Sequence, residues 1–447
     1  MKWLLRTTLI LSASISFSAD HSFGGESLNI HRQHADHFTK NPDNKDDLKK
    51  IFLFGDWGGG RRYLASKGIT VGLSYVDIAV GNPYGGKARG FENSGSLGLD
   101  VNVDIGSFSR FKGLSFYSST VFRVGKSLSG QKIDNQFPVQ QNFGGQNLRL
   151  NEVYFRQDFD RANFVAKVGR LDAGNDFLQS ALFYQFINNG FDGNPIAIFF
   201  NGPFSAYPNA TWGVYTQFNP FFKRVLAKFA VYVAQDNIGQ NRFRGFNWSF
   251  NGSDGLQLIS EWAYQMNQLK GDPPYPGNLR VGYFYYTKSK GTTFLNEPYS
   301  GNSSYYFLAD QQFLKYRLDQ RDNGLTAFVN LLFASKDRNM FPFFFSIGLV
   351  SKGMSKSRPN DYTQIGYIYG KYSRDLRLSK ELSAASASFS SADEQPQNYE
   401  SIFEVNHWFH LKEYFKMVPN IQYVINPKGK TSIPNALVLG MQVVVVI

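Results

Sequence analysis

Leu97-Gly98-Leu99-Asp100-Val101-Asn102-Val103-Asp104-Ile105 puts an apolar side chain at every odd position and a small or acidic one between each pair. Successive strand side chains point to opposite faces, so this segment predicts a strand with one greasy and one polar face. The pattern recurs to the C-terminus. Ile69, Val71, Leu73 and Tyr75 carry it, as do Val225, Ala227, Phe229, Val231 and Val233, and finally Leu437, Leu439, Met441, Val443, Val445 and Ile447. Each apolar stripe is about as long as a tilted strand needs to cross hydrocarbon, and the opposite face carries Asp, Glu, Lys and Arg. That combination separates a membrane barrel from a soluble sandwich.

Spacing supports the same reading. Short connections are expected at 107–112, 159–161 and 219–222, and long ones at 126–147, 172–209, 237–254 and 372–397. Outer-membrane barrels alternate short periplasmic turns with long outer loops. The expected fold is all-β: a transmembrane antiparallel barrel of about 16 strands over 69–447, wide enough for a water-filled channel. The strand expected at 305–316 alternates poorly, connection 336–341 is short for the pattern, and 266–276 is long.

Composition removes other classes. The 447 residues include no Cys, which excludes disulfides, thiolate metal sites, Cys nucleophiles and a lipoprotein anchor. No cofactor or metal is expected. Phe at 43 and Tyr at 25, beside 42 Gly, favour strands over helices. Mean hydropathy is −0.32, and beyond the N-terminus no apolar run approaches the roughly 20 residues of a membrane helix. Residues 1–19 read as a signal peptide, with Lys2 and Arg6 before an apolar centre and cleavage after Ser18 or Ala19. Residues 20–53 read as a polar tail, in which His31, His34 and His37 suit solvent better than a metal. The stretch Ser383–Ala392 reads as an exposed low-complexity loop.

Phe54-Gly55-Asp56-Trp57-Gly58-Gly59-Gly60-Arg61-Arg62-Tyr63-Leu64, ending at Gly68, predicts a short helical segment over 54–68 with Asp56 as N-cap. The glycines lack the Lys-Ser/Thr of a phosphate loop. This stretch resembles the opening of the carbohydrate-selective porins (OprB-type). Leu150-Asn151-Glu152-Val153-Tyr154-Phe155 with Val168-Gly169-Arg170-Leu171-Asp172 resembles that family's adjacent strand pair. Tyr207-Pro208-Asn209 before Trp212-Gly213-Val214 resembles the return from its long inner loop. Tyr399-Glu400 and Val418-Pro419-Asn420-Ile421-Gln422-Tyr423-Val424-Ile425-Asn426-Pro427 resemble its closing strands. Gly60, where an apolar residue is usual, and Ile447, where Phe is usual, depart from the pattern. The resemblance implies a passive sugar-favouring channel in the outer membrane of a Gram-negative-type bacterium.

Strand parity assigns the lumen without the family. Val153 and Phe155 on the lipid side leave Glu152, Tyr154 and Arg156 inward; Phe164, Ala166 and Val168 leave Lys167 inward. The same phase puts Asp100, Asp104, Arg123, Lys228, Glu261, Arg280, Glu400 and Glu404 in the lumen, because a Lys or Arg in hydrocarbon costs roughly 2–4 kcal/mol at the midplane. Such a mixed ring can replace the hydration of sugar hydroxyls, which both donate and accept. Glu152, Lys167 and Arg170 rank first as solute contacts, Arg170 acting from the strand end because it is out of phase with Lys167. Connection 172–209 exceeds the roughly 12–15 residues of an ordinary loop and, with Phe183, Tyr184, Phe186, Phe199 and Phe200, is expected to fold into the barrel and narrow it.

The expected partners are outer-membrane lipid and small sugars; a homo-oligomer joined through lipid-facing strands stays open. The formal charge of +12 leaves a general anion-preferring porin as the alternative, and its Lys and Arg are too scattered for nucleic acid. A barrel hydrolase needs a placed His. Beyond the tail only His407 and His410 exist, and His407 falls on the lipid phase, so no enzyme is expected. A transporter with a plug domain would need more chain before residue 69, and the long loops leave an adhesin role open.

Overall fold

A computed structural model describes residues 45–447 apart from 160–162, 192, 221–222, 236, 250, 270, 318–319, 321 and 387–395. The signal-peptide and His31–His37 expectations lie outside the described residues. Among those described, sixteen strands form one closed antiparallel barrel in which each strand pairs with its sequence neighbours and the first pairs with the last. The strands are β1 Ile69–Tyr84, β2 Gly90–Asp104, β3 Leu114–Gly125, β4 Leu148–Phe159, β5 Phe164–Leu171, β6 Thr211–Phe218, β7 Val225–Val233 and β8 Leu256–Met266. There follow β9 Gly277–Thr292, β10 Pro298–Leu314, β11 Gly324–Ala334, β12 Phe343–Lys352, β13 Tyr362–Lys371, β14 Tyr399–Lys412, β15 Phe415–Ile425 and β16 Ala436–Val446. Closure runs from Ser74 opposite Val446 to Gly81 opposite Leu439. It leaves no unpaired sheet edge, the condition for crossing hydrocarbon with strands.

The register keeps the two faces apart. Leu99 lies between Leu73 and Thr120, and Asp100 between Gly72 and Ser119. Outward-phase side chains such as Phe155, Val168, Val281 and Ile421 are about half exposed, whereas inward-phase Asn330, Glu404 and Gln422 are wholly buried. A soluble protein sorts its residues the other way round. No helix among the described residues is long and apolar enough to cross a membrane.

Two strand expectations and one loop expectation need correction. β10 begins at Pro298, well before 305, and carries register shifts between Ser300 and Asn302 and between Gln312 and Leu314. The second shift, two steps on β10 against one on β11, flips the inside–outside phase within the expected strand, which is why its alternation looks broken. β9 and β10 also stay paired out to Thr292 and Pro298, so the residues just before 305 belong to a tall hairpin. Finally, the helix Arg374–Ser386 runs into the Ser383–Ala392 stretch that composition marked as loop.

At the turn end, helix α1 (Lys45–Ile51) occupies part of the expected tail. Its Leu48, with Phe52, packs on Val446 beside Tyr414. Asp56 stands at the N-cap of the short turn Trp57–Gly59, while the N-cap of the next helix, α2 (Gly60–Ser66), is Gly59; the Asp56 carboxylate still accepts from Arg62 N–H at 3.2 Å and pairs with the Arg62 guanidinium at 2.7 Å. Gly68 ends the segment at φ +72°, where a Cβ would meet Ser107 Oγ at 2.5 Å. Arg61 ties this segment to the barrel. Its guanidinium donates to the carbonyls of Gly55 and Val71 at 3.0 Å and to Ile447, and lies 3.9 and 3.8 Å from the Phe52 and Trp57 rings. Burial lowers its pKa to about 10, still high enough to keep the charge.

Candidate functional site

Two long connections at the loop end carry bulky apolar side chains that a solvated loop would not bury. In 126–147, Leu128, Ile133, Phe137 and Val139 are fully buried and join one core with inward-phase Val76, Ile78 and Val80. This explains why the inward face of β1 is apolar in its upper half, at Val76, Ile78 and Val80. In 172–209, Phe177, Leu178, Phe186, Ile187 and Ile198 are equally buried. Phe186 stacks on Phe191 at 4.2 Å, and both rings meet the edge of Phe328 on β11. The two connections also bond to each other, Gln141 N–H donating to the Ile187 carbonyl and Asn189 N–H to that of Pro138, both at 2.9 Å.

Inward-phase charges meet the 172–209 connection on three sides. On β4, Glu152 accepts from Asp172 N–H at 3.0 Å and from the Asn175 amide at 2.9 Å. On β5, Lys167 pairs with Asp176 at 2.7 Å and lies 5.5 and 5.0 Å from the Tyr154 and Tyr215 rings. On β7, Lys228 donates to the Asp176 carbonyl at 2.8 Å and pairs with Glu261 of β8 at 2.9 Å. Glu261 in turn accepts from Leu178 N–H and from the Tyr306 hydroxyl. On β14, Glu404 accepts from Ile187 N–H at 2.7 Å and Asn188 N–H at 2.9 Å, and Trp408 donates to the Gln185 carbonyl at 2.8 Å. The shorter way round the ring from either β4 or β8 to β14 passes five intervening strands.

The other carboxylate on β14 holds the first connection. Glu400 accepts from Gln136 and Phe137 N–H, each at 2.7 Å, and from Lys428 N–H at 2.5 Å. Arg123 donates to the Gly144 carbonyl at 3.0 Å and lies 4.9 Å from the Tyr207 ring. Asp100 accepts from the Tyr117 hydroxyl at 2.6 Å. Arg280 pairs with Asp310 of β10 at 2.9 Å. Arg156 pairs with Asp158 at 2.9 Å near the turn end, and both side chains stay partly exposed, at 23 and 33 %, unlike the buried Arg149, Glu152 and Lys167. Asp104, in the same phase as Asp100, caps the 105–108 turn at Ser107 N–H instead of facing the channel.

Parity thus brings Glu152, Tyr154, Lys167, Lys228 and Glu261 together, but to hold the connection and not to face open water. Arg170 does not join them. It registers opposite Val153 and Trp212, on the outward phase, and donates to the carbonyls of Asn247 and Ala210, each at 2.5 Å. Sequence reasoning also missed Arg149, which is wholly buried and bonds Asn209, Asn241 and the Gly239 carbonyl. The reason is a shift between Ser118 and Thr120 on the β4 partner, which turns both Asn151 and Glu152 inward. Asp172 was passed over as well. Burial, then the nearby Glu152 and Asp176 carboxylates, push its pKa well above the usual carboxylate range.

The profile of the carbohydrate-selective porin, OprB family, matches residues 88–446. The chain belongs to that family. Porin B of Pseudomonas aeruginosa is 26% identical over 418 residues, covering 88% of this chain and 90% of that protein. The putative porin QuiX of Acinetobacter baylyi is 26% identical over 415 residues, covering 87% and 92%. Among solved structures, the high-pH form of Pseudomonas putida OprB superposes with a TM-score of 0.83 at 24% identity, over 89% of this chain and 99% of that one. The OprB-family relatives are channels rather than enzymes, and the family places this barrel in the outer membrane as a porin.

Proposed function

We propose that the protein is a passive, carbohydrate-favouring diffusion channel whose aperture is narrowed by connection 172–209. The observation that carries this is the bonding of that one connection to inward-phase residues of β4, β8 and β14. A chain segment tied to walls on different sides of the ring subdivides the lumen. Family membership supports sugars as the solute class. With Glu152 and Lys167 occupied by the connection, solute contact passes to inward charges nearer the turn end, led by Arg156 with Asp158 and by Arg280 with Asp310. Both pairs offer donors and acceptors side by side, which suits a hydroxyl. Permeation demands release as well as entry, so affinity near millimolar, about 4 kcal/mol, is the working range.

The test is planar-bilayer conductance with glucose and disaccharides as blockers, set beside reversal potentials in a salt gradient. Saturable block with weak ion selectivity fits the sugar reading. The formal charge of +12 favours one rival, a general anion-preferring porin. Strong anion selectivity without sugar block would select it.

A further inference from the structure

On the loop-end side of the wall, β5 stops at Leu171 while its neighbour β4 continues up to Leu148. The segment 237–249 fills the gap this leaves. Leu150 N–H donates to the Arg244 carbonyl at 3.0 Å, Trp212 Nε1 to the Trp248 carbonyl at 3.2 Å, and Arg170 to the Asn247 carbonyl. Trp248 stands at 5.5 Å from Trp212 and 5.7 Å from the Arg170 guanidinium. The fit against β4 is close: Gly245 has φ +76°, and a Cβ there would sit 1.8 Å from the Leu150 carbonyl oxygen. The segment presents Arg242, Arg244, Phe246 and Trp248 as exposed side chains, and its sequence has no acidic residue from 237 through 253.

A second feature lies just below it. A depression of about 360 Å³ on the outer wall is lined by Val214, Thr216, Phe229, Val231, Leu258 and Tyr283. Val214 is two residues from Trp212 on β6, so the depression starts roughly 7 Å beneath the tryptophan pair. An apolar groove in the wall, topped by aromatic and cationic side chains, matches the profile of a lipid: acyl chain below, anionic headgroup above.

We propose that this face binds a net anionic, phosphate-bearing lipid of the outer leaflet, with an acyl chain in the Val214–Leu258 groove and a phosphate between Arg242 and Arg244. Long loops mark the outward side of such barrels, which places the headgroup in the outer leaflet. Charge complementarity selects the phosphate: two exposed guanidinium groups in a segment without acids would repel a cationic partner and gain nothing from a neutral headgroup. The site is separate from the channel and independent of which solute permeates.

The test uses the full purified chain in neutral detergent, with diphosphorylated lipid A or phosphatidylcholine added, read by native mass spectrometry. Lipid A should be retained preferentially. Arg242→Gln/Arg244→Gln should weaken its retention about tenfold or more, and Val231→Trp, which fills the groove, should do the same. Conductance of both variants should match the parent, which shows that the barrel is intact. Equal retention of the two lipids, or retention that ignores both variants, overturns the proposal. So does a shift to monomers in the variants with no change in lipid retention, which would make this face an interface between copies.

Discussion

Lys167 on β5 and Asp176 in the following connection meet at 2.7 Å with both side chains almost wholly buried. A strand residue whose phase points inward is thereby spent on holding chain, not on contacting solute. Breaking such a pair leaves the partner charge buried and unmatched, at about 3 kcal/mol or more. Lys167→Met should lower barrel stability in detergent by that order and raise single-channel conductance as the connection loosens. Unchanged conductance together with full destabilisation would separate the anchoring role from any effect on aperture.

Glu404 holds the far end of the same connection through Ile187 and Asn188 N–H. Glu404→Ala strands these two amides and the buried Asn406 and Asn420 side-chain donors, each worth roughly 1–3 kcal/mol when unmet. Hydrogen exchange at residues 185–189 should speed up, and gating noise should increase. Glu404→Gln keeps an acceptor and should sit between the two.

Asp172 gives a pH signature. Its folded pKa is raised, chiefly by burial and then by Glu152 and Asp176, so its contribution is fully present below the unfolded pKa and is lost as pH rises through the folded one. Melting in detergent across the acidic-to-neutral range should therefore show stability falling with rising pH, and Asp172→Asn should flatten that slope. An unaltered slope in the variant would assign the pH dependence elsewhere.

Arg156, with its partner Asp158, is left partly exposed on β4, and it is the first choice for solute contact. Arg156→Ala should reduce glucose block severalfold while the barrel folds normally. Glu152→Ala, by contrast, should reduce stability, because it removes the acceptor for Asp172 and Asn175. Equal effects of both on block with none on stability would reverse these roles.

Arg61 joins the N-terminal segment to the closing strand. Arg61→Ala forfeits three hydrogen bonds and two ring contacts, about 2–3 kcal/mol in total. Refolding yield and melting temperature should drop, while conductance of the folded fraction stays as in the parent.

Much of this molecule is written in short-range pattern. Leu97 to Ile105 alone reveals a two-faced strand, and its repetition determines a barrel, the strand number and the inward phase of Asp100, Arg123, Lys228, Glu261, Glu400 and Glu404, because alternation is a property of neighbours in the chain. What those inward charges do was decided only in three dimensions. Glu404 lies more than two hundred residues from the amides it holds, Glu261 more than eighty from Leu178, and no local pattern encodes such pairings. The bulge at Asn151–Glu152 escaped for a related reason, whereas the phase of Arg170 was legible and only its carbonyl partners were not. One extra residue in a strand reverses the phase of everything beyond it, and whether it is there depends on the partner strand.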